Sequence, residues 1–162
     1  MDTICAEIVD RTVYPIRIQN GGAVYLTLYY YTAQADAVLH SDRILSFDSP
    51  EDMDFFCREN GLRLENHTAE FDFDAPLSTV IDPAVVLDRW NLLNTVARIF
   101  GMYFEGNDKK YTPLYDRLFY RSLSQGSASD RFRLSDRQYR QLQKVFGKKD
   151  RLLGRVAPYR RT

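Results

Sequence analysis

The stretch Ile81–Gly101, IDPAVVLDRWNLLNTVARIFG, decides how the rest of the chain is read. Asp82 can cap a helix with its carboxylate, and Pro83 suits the first turn, where its missing N–H costs nothing. Gly101 supplies a left-handed stop. Between them Val86, Trp90, Leu93, Ala97 and Phe100 recur at helical spacing, and Val85, Leu92, Val96 and Ile99 widen that stripe to most of the circumference. A helix this apolar is buried on several sides, so the spacing predicts the spine of a core. Only Asp88, Arg89, Asn91, Asn94, Thr95 and Arg98 interrupt it.

Upstream, Thr12–Ile18 and Ala23–Tyr31 are rich in β-branched and aromatic residues and flank Asn20-Gly21-Gly22, whose chemistry predicts a tight hairpin. In the second strand Val24, Leu26, Leu28 and Tyr30 alternate with Tyr25, Thr27, Tyr29 and Tyr31, a core face opposite a tyrosine row. Pro15 cannot donate a ladder hydrogen bond, so the first strand is expected at a sheet edge or with a bulge. Thr32–Arg43 reads as a loop or short irregular link, and Arg43–Phe47 as a short strand. Ser49 caps a helix that starts at Pro50, has Glu51, Asp52 and Asp54 near its beginning, and closes at Gly61. Two strands follow, LRLEN and TAEFDFD, joined by a turn near Asn66-His67.

The chain changes character after Ala75-Pro76. Downstream of the spine, Gly106-Asn107-Asp108 signals a loop. Thr112–Leu123 reads as a helix with Thr112 as cap, Pro113 in the first turn, and Leu114, Leu118 and Phe119 facing in. QGSASD (125–130) is a flexible connection. A last helix is capped by Ser135, with Tyr139, Leu142, Val145 and Phe146 at helical spacing; Gly147 ends it, or Leu152 and Leu153 extend it. The tail APYRRT is expected to fray. Strands first and helices afterwards predict one α+β domain over 1–162: an antiparallel sheet, the hairpin plus further short strands, packed by helices, with 1–75 mainly strands with one helix and 82–155 mainly helices.

A chain of 162 residues can bury a real core. Its 11 Tyr, 10 Phe and single Trp argue against disorder. No apolar run is long enough to span a bilayer, and the acidic N-terminus lacks a secretory pattern, so a cytoplasmic protein without membrane contact is expected. Cys5 and Cys57 lack metal-type spacing and read as reduced, buried thiols. The zero net charge hides a division. Up to Asp108 there are 7 Lys+Arg against 18 Asp+Glu; from Lys109 onward there are 15 against 4. Such halves either meet different partners or attract each other in folding.

No catalytic constellation emerges. His40 and His67 stand apart from other ligand types, and there is no phosphate loop, nucleophile elbow or H-E-x-x-H. No cofactor or metal is expected, and the chain is read as not an enzyme. Glu70, Asp72 and Asp74 alternate with Phe71 and Phe73 and so share one strand face. This row can be read as a wet face, as carboxylates for a metal-dependent hydrolase, or, together with Asp48, Glu51, Asp52 and Asp54, as a negative surface for a basic partner. Arg133, Arg137, Arg140 and Lys144 recur at spacings of a helix stripe that could meet phosphates, with Tyr139 and Phe146 available to stack on bases. The tyrosine row reads as core or as a binding surface.

Three segments read together carry a family resemblance. The unit SPEDMDFFCRENG…EFDFDAP, the spine WNLLNTVARIFG and the later LYDRLFY resemble immunity proteins of contact-dependent growth inhibition and other polymorphic toxin systems of bacteria. The likeness covers Ser49 to Tyr120; the N-terminal hairpin and the basic helix lie outside it. It implies a cytosolic, non-enzymatic protein that binds one cognate toxin domain, typically a nuclease, and blocks its active site or substrate surface. Under that reading Trp90 and Phe119 are scaffold. The contact candidates are Glu51, Asp52, Asp54, Glu70, Asp72 and Asp74, with Tyr25 and Tyr29 as aromatic anchors. The alternative is a nucleic-acid-binding accessory protein that uses the basic C-terminal helix.

Overall fold

The computed structural model describes residues 5–124 and 131–160. The predicted Gln125–Asp130 connection lies outside them. The chain divides into two compact units, Met1–Asp74 with Leu153–Thr162, and Ala75–Leu152.

The first unit is built on the predicted hairpin. β1 (Thr12–Asn20) and β2 (Ala23–Tyr31) pair antiparallel, with Asn20 opposite Ala23 and Val13 opposite Tyr30. Gly21 and Gly22 make the turn at φ 63° and 79°, a left-handed conformation that favours glycine. β3 (Asp36–Val38) adds antiparallel to β2, inside the stretch expected to be irregular. Its pairing is non-local in chemistry: three residues carry no pattern of their own and become a strand because β2 offers a free edge. β5 (Arg63–Leu64) and β6 (Ala69–Asp72) both run parallel to β1. The fold is α+β as read, but the sheet is mixed rather than purely antiparallel.

β1 therefore lies inside the sheet, contrary to the expectation drawn from Pro15. The reason is local. Val13 and Gln19 turn their carbonyls toward the β5 and β6 side, where they accept from Glu65 and Phe73. By the same alternation Pro15 faces that side. It falls in the gap between β5, paired to Val13, and β6, which begins opposite Ile16. No ladder bond is demanded there.

α1 (Pro50–Glu59) is capped as predicted: the Ser49 hydroxyl accepts from Asp52 N at 3.2 Å. It buries Met53, Phe56 and Cys57. Arg11 reaches from the start of β1 to the far end of this helix, donating to the carbonyls of Asn60 (2.7 Å) and Gly61 (3.0 Å). Those are groups that a helix C-terminus leaves without partners. β4 (Ile44–Ser46) pairs in parallel with β9 (Val156–Pro158). The tail is thus ordered through Arg160 rather than frayed: Tyr159 packs on Phe47 and Phe56 with ring centroids 5.5 and 5.0 Å away.

In the second unit the spine is α2 (Pro83–Phe100). The Asp82 carboxylate accepts from Ala84 N at 3.0 Å, and Gly101 stands in the left-handed region at φ 63°. Trp90, Leu93 and Val96 are buried, and Val85 is exposed. The polar interruptions have partners. Asn91 accepts the phenol of Tyr115 (2.8 Å), and Asn94 accepts the side-chain amide of Asn107 (2.8 Å). Tyr115 belongs to α3 (Thr112–Leu123), which packs along the spine; its ring meets Trp90 edge to face at 5.3 Å. Thr112 is the first residue of α3 rather than its cap. Leu114 and Leu118 face in, whereas Phe119 is 44% exposed. The correction follows from geometry: Phe119 is one residue, about 100°, beyond Leu118 on the helix. Strands β7 (Val80–Ile81) and β8 (Phe132–Arg133) pair antiparallel. α4 (Asp136–Val145) opens with a capping box of Ser135 and Gln138 and buries Leu142 and Val145. It stops at Phe146, and a separate short helix, α5 (Lys149–Leu153), follows. Among the described residues no helix is long and apolar enough to cross a membrane.

Candidate functional site

Of the six carboxylates singled out from the sequence, Glu70 and Asp72 fall on β6, Asp74 just beyond its end, and Glu51, Asp52 and Asp54 on α1. On β6, Glu70 lies opposite Arg17 in the register and pairs with it at 2.9 Å. An Asp72 oxygen accepts Asp74 N at 2.9 Å. Asp74 accepts the backbone N–H groups of Gly21 (2.6 Å) and Gly22 (2.9 Å). The row is therefore tied to the fold it sits on. On α1, Asp54 pairs with Arg58 one turn on, at 2.9 Å, and Glu51 is exposed. Among the described residues no group of three His, Cys, Asp or Glu side chains is placed to share a metal ion. His40 Nδ1 lies 2.7 Å from the Val38 carbonyl, and His67 is exposed.

The tyrosine row divides along its length. Tyr25 is half-buried and donates its phenol to the Leu153 carbonyl at 2.9 Å; burial raises its pKa. Thr27, next on that face, is buried and donates to the Leu45 carbonyl at 2.7 Å. Tyr29 is held by a hydrogen bond to the Asp36 carboxylate, and burial first, then that bond, raises its pKa. Beyond it the face opens. Tyr31 is 49% exposed and Tyr14 is 38% exposed. Tyr31 stands edge to face with Tyr29 at 5.3 Å and with Tyr14 at 5.9 Å. Sequence reading missed Tyr14. A signal existed: a turn at Gly21-Gly22 sets Tyr14 directly across from Tyr29, so counting the register brings Tyr14 into the row.

The unit that bears this patch has 14 Asp+Glu against 8 Lys+Arg, a net of −6; the other unit has 8 against 14, a net of +6. Within the second unit the cations converge. A cavity of about 360 Å³ is lined by Lys110, Pro113, Leu114, Arg117, Ser135, Arg137, Gln138 and Gln141. A neighbouring one of about 230 Å³ shares Lys110, Arg137 and Gln141 and adds Tyr111, Arg140 and Lys144. The stripe read as Arg133, Arg137, Arg140 and Lys144 loses Arg133, which precedes the helix on β8. Of the stacking candidates, Phe146 is buried, and half-buried Tyr139 donates its phenol to the Leu77 carbonyl at 3.3 Å.

Comparison with protein-family profiles and with curated protein sequences finds no match. Among solved structures the chain is similar to the crystal structure of the SatS C-terminal domain in complex with bromine, at 14% identity and a TM-score of 0.56. The alignment covers 93% of this chain and 95% of that one. At this identity the likeness speaks for the fold alone.

Proposed function

We propose that the chain is a toxin-neutralising immunity protein, which binds a cognate nuclease toxin domain and blocks its active site or substrate surface without catalysing a reaction. The observation that carries this reading is the open end of the tyrosine row. Tyr14 and Tyr31 stand exposed and edge to face on a sheet whose unit has a net charge of −6. Tyrosine supplies large, rigid contact area and is enriched at interfaces. A negative field speeds encounter with a basic, nucleic-acid-binding partner and suppresses acidic ones. The resemblance of Ser49–Tyr120 to immunity proteins points the same way.

Within this reading the anchors shift along the row from Tyr25 and Tyr29 toward Tyr31 and Tyr14. Glu51 supplies exposed charge at the start of α1, whereas Asp54, also exposed, is paired with Arg58. Glu70, Asp72 and Asp74 contribute to the field while their oxygens hold the chain together. Co-expression is the test. A toxin domain encoded beside this gene arrests growth when expressed alone, and growth returns when this chain is expressed with it. Arrest that persists in the presence of folded protein refutes the reading.

A further inference from the structure

The groove between α3 and α4 is not accounted for by a toxin-binding role of the first unit. Its two cavities share Lys110, Arg137 and Gln141, so they lie side by side within the second unit. Among the described residues five cations line it, Lys110, Arg117, Arg137, Arg140 and Lys144, and no carboxylate does. Arg137, Arg140 and Lys144 are exposed and make no ion pair among the described residues. Lys110 is 3.6 Å from Glu105, a contact between side chains that are 57% and 24% exposed. Arg117 is positioned over the Phe132 ring, 5.4 Å from its centroid, which orients its guanidinium without neutralising it.

Five like charges held around two adjoining cavities repel one another unless an anion joins them, since each pair at close range costs energy even near a surface. The kind of anion follows from dimensions and chemistry. From Arg137 to Lys144 the helix rises about 10 Å, so these cations form a row rather than a point, which suits a chain of successive phosphates better than a single small anion. Three of the five cations are arginines, whose planar fork fits phosphate oxygens in pairs. Gln141 and the side-chain amide N–H groups of Gln138, whose oxygen is engaged in the capping box, offer hydrogen bonds to phosphate and sugar oxygens. The one aromatic ring in the lining, Tyr111, is buried to 1% exposure, so no platform for base stacking is present there.

We propose that this groove binds the sugar–phosphate backbone of a single nucleic-acid strand, without reading its bases. The site differs from a bare basic helix, because Lys110 and Arg117 precede α4 in the chain and belong to other elements, Lys110 to the turn before α3 and Arg117 to α3 itself. It is independent of the toxin-neutralising reading, and either can fail alone.

The test is fluorescence anisotropy of the full chain with labelled single-stranded oligonucleotides of mixed and homopolymeric sequence. The expected result is binding at low salt that varies little with sequence. With three phosphates engaged, log K falls against log salt with a slope of about −2. The double charge reversal Arg137→Glu/Arg140→Glu weakens binding tenfold or more. A matched reversal outside the lining, Lys109→Glu/Lys148→Glu, weakens it much less; circular dichroism checks that both variants fold. Four results overturn the proposal: no binding at low salt, equal loss in both double variants, displacement by polyglutamate as effective as by unlabelled strand, or strong preference for one base sequence.

Discussion

An Asp74 carboxylate oxygen accepts the backbone N–H of Gly21 at 2.6 Å, and its partner oxygen accepts that of Gly22 at 2.9 Å. The two glycines make the hairpin turn in the left-handed region, which leaves their N–H groups pointing away from the strand ladder. The acid that follows β6 supplies what the turn lacks. It also ties the end of the parallel strand to the tip of the hairpin, 53 residues earlier in sequence at Gly21.

Asp74→Ala is therefore expected to destabilise the chain by about 1 kcal/mol, the net worth of charge-assisted bonds at an exposed site. Asp74→Asn, which keeps one acceptor, costs less. Urea unfolding midpoints check both. An unchanged midpoint in Asp74→Ala would show that water satisfies the turn equally well.

Gly106 is required by contact rather than by backbone conformation. A Cβ there would lie 2.6 Å from the Phe104 ring and 2.7 Å from Trp90 Nε1. Gly106→Ala should cost about 1–3 kcal/mol through overpacking against the spine tryptophan. Gly101→Ala makes a useful contrast. Nothing lies within 4 Å of its added Cβ, but its φ of 63° penalises alanine by about 1 kcal/mol. Thermal or urea unfolding with Trp90 fluorescence should show the local environment of the indole altered in the first variant only.

The Cys57 thiol is held on the buried face of α1, and burial, then Asp54 and Cys5, push its pKa up to about 12 from an ordinary 9.0. Between those values the unfolded chain releases the proton while the native chain keeps it. Native stability from this group is therefore constant below pH 9 and falls as pH rises toward 12. Tyr30, raised by burial from 10.0 to about 12, adds to the loss over the upper part of that window. Unfolding midpoints measured across it should decline, with a shallower decline in Cys57→Ala. Native Cys57 should also resist thiol reagents near neutrality; labelling as fast as in denaturant would contradict the burial.

Tyr14→Ala and Tyr31→Ala remove rings that are 38% and 49% exposed, so stability should change by about 1 kcal/mol or less. If they anchor a partner, each should weaken toxin binding by about 2 kcal/mol, roughly thirtyfold in Kd. Calorimetric titration against the toxin domain separates the two effects. Tyr25→Phe, which loses a hydrogen bond to Leu153, should do the reverse and cost stability while leaving binding intact.

Helix ends and the hairpin were legible because their chemistry is local. Ser49, Asp82 and Ser135 each cap the helix that follows them, and Gly21-Gly22 turns the strands. What could not be read depends on pairing between distant segments. β3 and β9 are three residues each and exist through β2 and β4. The parallel direction of β5 and β6 is set by how the chain returns past α1, not by their own residues. Pro15 shows a rule overridden by a gap in the neighbouring strands. The acidic row was legible as a row but not as a set of tethers, since Arg17 and the glycine turn become its neighbours only after folding. The basic groove was half legible: α4 shows its arginines at helical spacing, whereas Lys110 and Arg117 join them only through packing.

The toxin-neutralising role proposed above requires a one-to-one complex with a toxin domain, made through the tyrosine end of the first unit. Affinity capture of the tagged chain, co-expressed with the toxin encoded beside it, tests that claim most directly. The account predicts a stoichiometric complex that survives moderate salt and is lost in the Tyr14→Ala/Tyr31→Ala double variant. Capture of nucleic acid alone, stripped by high salt, with no toxin retained by the folded wild-type chain, would contradict it.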